Sequence, residues 1–327
     1  MIEADSLVRR FGDVVAVDRL SLTVDRGEVY GFLGPNGAGK STTVRILCTL
    51  LAPTEGTARV AGFDVVDQAS EVRVRIGVAL QESALDGKQT GRELLDLQAR
   101  LYGLRGATLQ RRLDAVIGLA DIGNAIDRQI GTYSGGMRRR LDLAAALVHD
   151  PQILFLDEPT TGLDPPTRTK VWAEVRRLQR EHGATIFLTT QYLEEADALC
   201  DRVAIVDQGT LAIEGTPSEL KRRVGRDLVV VELAGDTTGA TTGATAGATD
   251  AVADLAGVDD VRITDRTLVV ATANGAGLVG PVAVRLAEKA FDVASLTVRT
   301  PTLDDVFLEA TGHRLRDDGT ITEEVTR

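Results

Sequence analysis

Apolar and polar positions alternate through residues 1–25 (Leu7, Val8; Val15, Val17; Leu20, Leu22, Val24), which predicts a hairpin of half-buried strands. The pattern changes at Gly27–Leu33, a short apolar run that leads into a glycine-rich loop and then a helix-forming stretch, Lys40–Leu51. Strand, glycine loop and helix in that order open a phosphate-binding α/β domain. From 92 to 149 apolar residues recur at helical spacing, in Glu93–Tyr102 and again in Leu109–Leu119, while strand-like runs are missing. A helical insertion over about 85–150 follows. Short, almost wholly apolar runs then return at Ile153–Leu156, Thr185–Thr189 and Arg202–Val206, as a parallel sheet covered on both faces requires. Helical stretches at Thr167–His182 and Leu193–Leu199 separate them, so the alternation is α/β.

Near residue 225 the character changes. A domain over 1–225 is expected to give way to a small α+β module over 226–312, with strands Asp227–Leu233, Val261–Thr264, Leu268–Ala271 and Val293–Val298 and a helix Gly280–Lys289. Within it, the low-complexity Gly/Ala/Thr run at 235–250 buries almost nothing and reads as a flexible loop. The segment 313–327 has no apolar periodicity and reads as a disordered tail.

Composition narrows the partners. Hydrophobic residues make up 43% and charged residues 26%, the balance of an ordinary globular chain. A net charge of −11 repels nucleic acid and anionic lipid, so no nucleic-acid partner is expected. Nowhere do the roughly 18 consecutive apolar residues of a membrane span occur. The first residues, MIEADSLVRRFG, are unlike a secretory leader, which predicts a cytoplasmic protein. Cys48 and Cys200 lie far apart, and with three histidines in all they read as buried thiols rather than metal ligands.

Three motifs carry chemistry. Gly34, Pro35, Asn36, Gly37, Ala38, Gly39, Lys40 and Ser41, followed by Thr42, fit G-x-x-x-x-G-K-[ST]. The glycines let backbone N–H groups close around β- and γ-phosphates, Lys40 supplies positive charge, and the Ser41 hydroxyl can ligate Mg²⁺. The following helix presents its positive end to the anion. Ile153–Leu156 runs into Asp157 and Glu158. Asp157 then stands near the metal, and Glu158 beside the γ-phosphate with a carboxylate free to orient the attacking water. Ser134, Gly135 and Gly136, after Tyr133 and before Met137, form another anion-binding helix start. Taken alone, an SGG triplet is also a flexible turn, and an apolar run before Asp-Glu is also a plain strand end; their order along one chain gives them force.

Together with Thr161–Asp164 (TGLD), these motifs resemble the nucleotide-binding domain of ABC transporters over about residues 1–220. The resemblance implies a P-loop NTPase fold with a helical subdomain, and a head-to-tail homodimer that sandwiches two ATP molecules. The phosphate loop of one subunit would face Ser134, Gly135 and Gly136 of the other. Phe11 matches the aromatic that stacks on adenine, Asp164 the aspartate that communicates across the dimer, and Gln81 the glutamine that senses Mg²⁺ and water near the membrane partner. TTQYLEEAD (189–197), YSGGMRRRLD and PTLDDVFLEATG (Pro301–Gly312) are similar to ATPase subunits of the daunorubicin-resistance type. That group implies a two-component exporter of drugs, antibiotics or lipids. Its separate integral membrane permease would hold this chain at the inner face of the cell membrane.

Two positions depart from the general pattern. Met137 stands where a glutamine is usual, and Gln191 where most members carry a histidine that contacts the γ-phosphate. A glutamine amide donates a hydrogen bond but cannot become cationic, so Gln191 is expected to act as a γ-phosphate donor while hydrolysis survives. A regulatory module that binds ATP without turnover is the alternative Gln191 raises, and Glu158 argues against it. A soluble ATPase acting on ribosomes or DNA is opposed by the charge. Arg138–Arg140 read as a solvated helix face, Asp304 and Asp305 as an acidic cluster at a helix start, and Trp172 as packing against the sheet.

Overall fold

The structure is a computed structural model that describes the chain apart from residues 81–84, 235–245, 265, 316–320 and 324–327. It divides into two compact units, residues 1–217 with 310–327, and residues 218–309.

The first unit opens with the expected hairpin, β1 (Ile2–Phe11) and β2 (Val14–Val24), then β3 (Val29–Leu33) and α1 (Lys40–Leu47). Strands β4 (Glu55–Val60) and β5 (Phe63–Asp64) complete a four-stranded antiparallel sheet in the order β2-β1-β4-β5. After α2 (Ala69–Arg73) and β6 (Ile76–Ala79) come three helices, α3 (Gly91–Leu101), α4 (Gly106–Ala120) and α5 (Gly135–Ala146). Then β7 (Ile153–Asp157), α6 (Pro165–His182), β8 (Thr185–Thr190), α7 (Leu193–Leu199), β9 (Arg202–Asp207) and β10 (Thr210–Gly215) close the unit. The second sheet runs β10-β9-β3-β8-β7-β6, parallel throughout except for the edge strand β10.

Strands β3, β7 and β8 are buried at every position, which is why they read as unbroken apolar runs. Phe187, in the middle of β8, sits with its ring 5.6 Å from Tyr30 and 5.4 Å from Phe32 on β3, and 5.6 Å from Phe155 on β7. Such pairs add about 0.5–1.5 kcal/mol each beyond burial and hold the three central strands in register. The helices start on their caps. Thr90 and Glu93 form a reciprocal capping box on α3, and the Ser134 hydroxyl accepts from Met137 N on α5. Helix α6 begins with Asp164 as cap and Pro165 in its first turn, and stops at Gly183, whose φ of 61° is left-handed.

In the second unit, α8 (Pro217–Val224) leads to β11 (Asp227–Leu233), α9 (Ala246–Ala253), β12 (Val258–Thr264), β13 (Thr267–Thr272), α10 (Gly275–Glu288) and β14 (Val293–Arg299). The antiparallel sheet has the order β12-β13-β11-β14. Val229, Val231 and Leu233 of β11 alternate onto one face, where they pack with Ala248 and Val252 of α9 and Leu278, Val282 and Leu286 of α10. The Gly/Ala/Thr run therefore ends sooner than its composition predicts: residues 235–245 lie outside the described residues, and Ala246 begins a helix because Ala248 and Val252 find an apolar sheet to cover. Helix α10 also starts earlier than predicted. Asn274 Oδ1 accepts from Gly277 N at 3.0 Å and caps it, so the helix begins at Gly275, five residues before the glycine at 280, with Pro281 inside. Asp304 and Asp305 fall in the first turn of α11 (Leu303–Thr311), as expected. Beyond it, His313–Leu315 pairs with Ile321–Glu323 in a segment expected to be disordered, with Leu315 in register with Ile321.

Both cysteines are buried and free, in line with the sequence. Among the described residues no helix is long and apolar enough to cross a membrane. The helical subdomain meets the sheet closely at Gly77 on β6, where a Cβ would fall 2.2 Å from Ala146 O at the end of α5. Gly77→Ala is expected to destabilise the first unit by about 1–3 kcal/mol through overpacking, read as a lower urea midpoint. An unchanged midpoint would show that β6 and α5 part without penalty.

Candidate active site

The phosphate loop runs from the end of β3 to the first residue of α1. Gly39 has φ of 95°, and a Cβ there would lie 2.3 Å from Ala16 O; Gly34 would clash with Val206 O at 2.4 Å. Only glycine lets the loop close this tightly. Lys40 is 4% exposed, and its ammonium donates to Gly34 O at 2.7 Å and Pro35 O at 3.0 Å. Burial holds that ammonium below its ordinary pKa, while Glu158 and then Asp157 pull it back up. Ser41 and Thr42, on the first turn of α1, are half-buried.

The register of the parallel sheet brings the carboxylates to this loop. Asp157, the last residue of β7, stands in register with Thr189 of β8. The Thr189 hydroxyl donates to Asp157 Oδ1 at 2.5 Å, and Glu158 N donates to both Thr189 O and Thr189 Oγ1 at 3.1 Å. Glu158 Oε1 lies 3.8 Å from Lys40 Nζ, with both side chains almost fully buried, and Glu158 Oε2 accepts from the Thr161 hydroxyl at 3.2 Å. Glu158 has φ of 49°, a left-handed conformation that costs a non-glycine residue about 1–3 kcal/mol. The distortion turns the chain out of the strand and keeps this carboxylate near Lys40. Gln191 follows β8 directly and is 7% exposed, so it shares the strand end that carries Thr189.

The Mg²⁺ expected here is a hard cation that takes oxygen ligands. The Asp157 carboxylate and the Ser41 hydroxyl are such donors, and they fit it. Gln81, expected to sense that metal and water, lies outside the described residues.

The remaining candidates stand elsewhere in the unit. Ser134 and Gly135 are exposed at the start of α5, anchored by the Tyr133 hydroxyl, which donates to Ala125 O at 2.6 Å. A Cβ on Gly136 would lie 3.0 Å from Thr167 Cγ2, so the SGG turn abuts the start of α6, which exposed Asp164 caps. Phe11, at the tip of the β1–β2 hairpin, is 46% exposed, and the Arg9 guanidinium sits 4.6 Å from its ring centroid.

Two residues escaped sequence reasoning. Thr189 ties the Asp157 carboxylate and the Glu158 backbone N–H to β8, and only the strand register reveals it. Arg139 was read with its neighbours as solvated, yet its side chain is 10% exposed. It donates to Pro159 O at 2.9 Å, Leu80 O at 2.8 Å, Asp157 O at 3.2 Å and Asp142 Oδ2 at 3.1 Å. The run of three arginines hid a periodicity: Arg139 points inward while Arg138 is exposed. Burial lowers the Arg139 pKa and pushes the Asp142 carboxyl up to about 6, so in both groups the loss of water outweighs the partner's attraction. Trp172 is half-buried, and its indole N–H donates to Glu195 of α7 at 2.8 Å.

A buried phosphate-loop lysine beside a strand-end Asp-Glu pair, with an SGG helix start on a helical subdomain, defines an ATP-binding cassette. The ABC transporter family matches residues 17–161, and the family described as ATP-binding protein DrrA1-3-like, C-terminal domain, matches residues 215–311. The chain is 46% identical over 315 residues to the daunorubicin resistance ATP-binding protein DrrA3 of Streptomyces coeruleorubidus, covering 95% of this chain and 96% of that one. It is 40% identical to the Nod factor export ATP-binding protein I of Sinorhizobium fredii (strain NBRC 101917 / NGR234), covering 97% and 87% of the two chains. A solved dimer of an ATP-binding cassette in a post-hydrolysis state with ADP and Pi superposes with a TM-score of 0.61 at 25% identity, over 66% of this chain and 98% of that one. The chain belongs to the ABC transporter ATP-binding subunits of the daunorubicin-resistance type. It binds and hydrolyses ATP, and it works with a membrane component to power export.

Arg139→Gln is expected to destabilise the first unit by about 2–4 kcal/mol, because it strips buried acceptors of their charged donor. Urea denaturation reads this, and a loss below about 1 kcal/mol would mean the three carbonyls find other donors.

Proposed function

We propose that this chain acts as a homodimer of nucleotide-binding subunits, held at the cytoplasmic face of the membrane by a separate integral membrane permease. It drives efflux of a drug, antibiotic or lipid. The reading rests above all on Glu158, a buried carboxylate 3.8 Å from the phosphate-loop lysine on a backbone turned out of its strand. On this reading Gly34, Pro35, Asn36, Gly37, Ala38 and Gly39 wrap the phosphates with backbone N–H groups. Lys40 exchanges its two loop carbonyls for phosphate oxygens. The Thr42 backbone and the α1 N-terminus add to the same field, and Phe11 offers its ring to adenine. Ser41, Asp157 and Gln81 hold Mg²⁺, which neutralises phosphate charge when bound. Glu158 orients and polarises the attacking water, and the Gln191 amide donates to the γ-phosphate oxygens.

The exposed SGG start of α5 suits a second copy, because an anion-binding helix end open to solvent can meet the nucleotide of the other subunit. Asp164, beside it, carries the communication between the two sites. The permease fits a groove of about 360 Å³ between the sheet and the helical subdomain, lined by Leu50, Leu80, Leu94, Tyr102 and His149. Among its lining residues Leu50 is 59% exposed, an apolar side chain left to water in the free subunit. The groove borders Leu80, which immediately precedes Gln81 in the sequence. The acidic surface opposes a nucleic-acid partner.

Mg-ATP turnover across a range of protein concentrations tests the reading. Turnover should rise faster than linearly with concentration, and Glu158→Gln should lower it by on the order of 10² or more, as loss of a positioned base does. Linear dependence with an active Glu158→Gln enzyme would defeat both the dimer and the base. Gln191→Ala should slow turnover less severely, and a rate equal to wild type would remove Gln191 from the site.

A further inference from the structure

Glu195 lies on α7, away from the phosphate loop, and nothing in the ATP site described above uses it. It is 0% exposed. Its Oε1 accepts from the Thr160 hydroxyl at 2.9 Å and from the Trp172 indole N–H at 2.8 Å. Thr160 is two residues beyond Glu158. On the other side, Thr190 and Tyr192 flank Gln191, and Tyr192 N donates to Thr190 Oγ1 at 2.9 Å, closing a turn about it. The Arg168 guanidinium covers the Tyr192 ring at 4.2 Å.

We propose that Glu195 is a positioning residue for ATP hydrolysis, whose carboxyl fastens the loop that follows Glu158 to the segment that carries Gln191. The inference rests on the reading of Glu158 and Gln191 as the groups that face the γ-phosphate.

The chemistry of the position argues against a packing role. A leucine or methionine would fill the space between α6 and α7 without desolvating a carboxyl. Burial pushes the Glu195 carboxyl above its usual pKa, and the Thr190 hydroxyl, Thr160, Trp172 and the Arg168 charge oppose that rise. The Thr160 hydroxyl comes from the loop after β7 and the Trp172 indole from α6, and Glu195 N itself donates to Tyr192 O at 3.1 Å, so one residue gathers three segments. Thr160 is two residues from Glu158, and Tyr192 is next to Gln191. A shift of either loop is therefore felt at the other through a single residue.

The test compares Mg-ATP turnover, KM and fluorescent-nucleotide binding for wild type, Glu195→Gln, Glu195→Ala and Thr160→Val, with Glu158→Gln beside them. A glutamine keeps the acceptor oxygen, so Glu195→Gln should stay within about threefold of wild-type kcat. Glu195→Ala and Thr160→Val should each lower kcat by about tenfold or more, with KM and nucleotide binding within about twofold of wild type. Thr160→Val removes only a hydroxyl, so it speaks even if Glu195→Ala fails to fold. Full turnover in Thr160→Val, or a Glu195→Gln enzyme as slow as an intact Glu195→Ala one, overturns the proposal. An active Glu158→Gln enzyme instead overturns the reading of the site itself, which keeps the two failures apart.

Discussion

The active site depends on the register in which β7 lies against β8. Asp157 stands opposite Thr189, and from that one pairing three hydrogen bonds follow: Thr189 to Asp157, and Glu158 N to the carbonyl and hydroxyl of Thr189. β8 also pairs with β3, Leu33 opposite Thr190, so the phosphate loop leaves the sheet at the level where the carboxylates arrive. Phe187 touches aromatic rings on both neighbouring strands and resists a slip of either. A slip of one residue would send Asp157 to the other face of the sheet and empty the site of its acid.

Electrostatics then explain why the site is held under tension. Lys40, Asp157 and Glu158 are each less than a tenth exposed, and desolvation is the largest influence on the lysine. A buried lysine that leans on two loop carbonyls is satisfied but not well paired, and the opposite charge lies 3.8 Å off. A triphosphate offers stronger acceptors than either carbonyl. The arrangement is thus preorganised for an anion at some expense to the empty state, as the left-handed backbone at Glu158 also indicates.

Much of this was legible in the sequence because the cassette's motifs are local. GPNGAGKS, ILFLDE and YSGGM each write a strand end, a loop or a helix cap in consecutive residues, and the strands that carry them read as unbroken apolar runs. What escaped was whatever depends on tertiary pairing. Thr189 looks like any strand threonine until β8 is laid beside β7. Arg139 sits in a run of three arginines, and only the packing of α5 on β6 and β7 distinguishes the inward one. The Gly/Ala/Thr run was read to 250 as a loop because alanine and glycine carry no periodicity, yet α9 forms where β11 and β13 present an apolar face to Ala248 and Val252. Propensity yielded to burial there, and at α10 the Asn274 cap starts the helix at Gly275, ahead of the Gly280 start the sequence suggested, with Pro281 inside it.

The same division bears on how a change at the groove reaches the nucleotide. Leu80, at the exit of β6, lines the groove and gives its carbonyl to Arg139, whose other bonds hold Asp157 O and Pro159 O. Asp142, one turn along α5, lines the groove as well and completes the arginine's shell. Arg139 thus joins the wall of the groove to the backbone on both sides of Glu158 with one rigid planar fork. A partner that moves β6 or α5 relative to the sheet cannot leave those carbonyls in place, since a buried guanidinium gives up such bonds only at the full price of an unpaired charge. Between the groove and the backbone about Glu158 there is therefore no long path, only a single side chain that the sequence presents as one of three surface arginines.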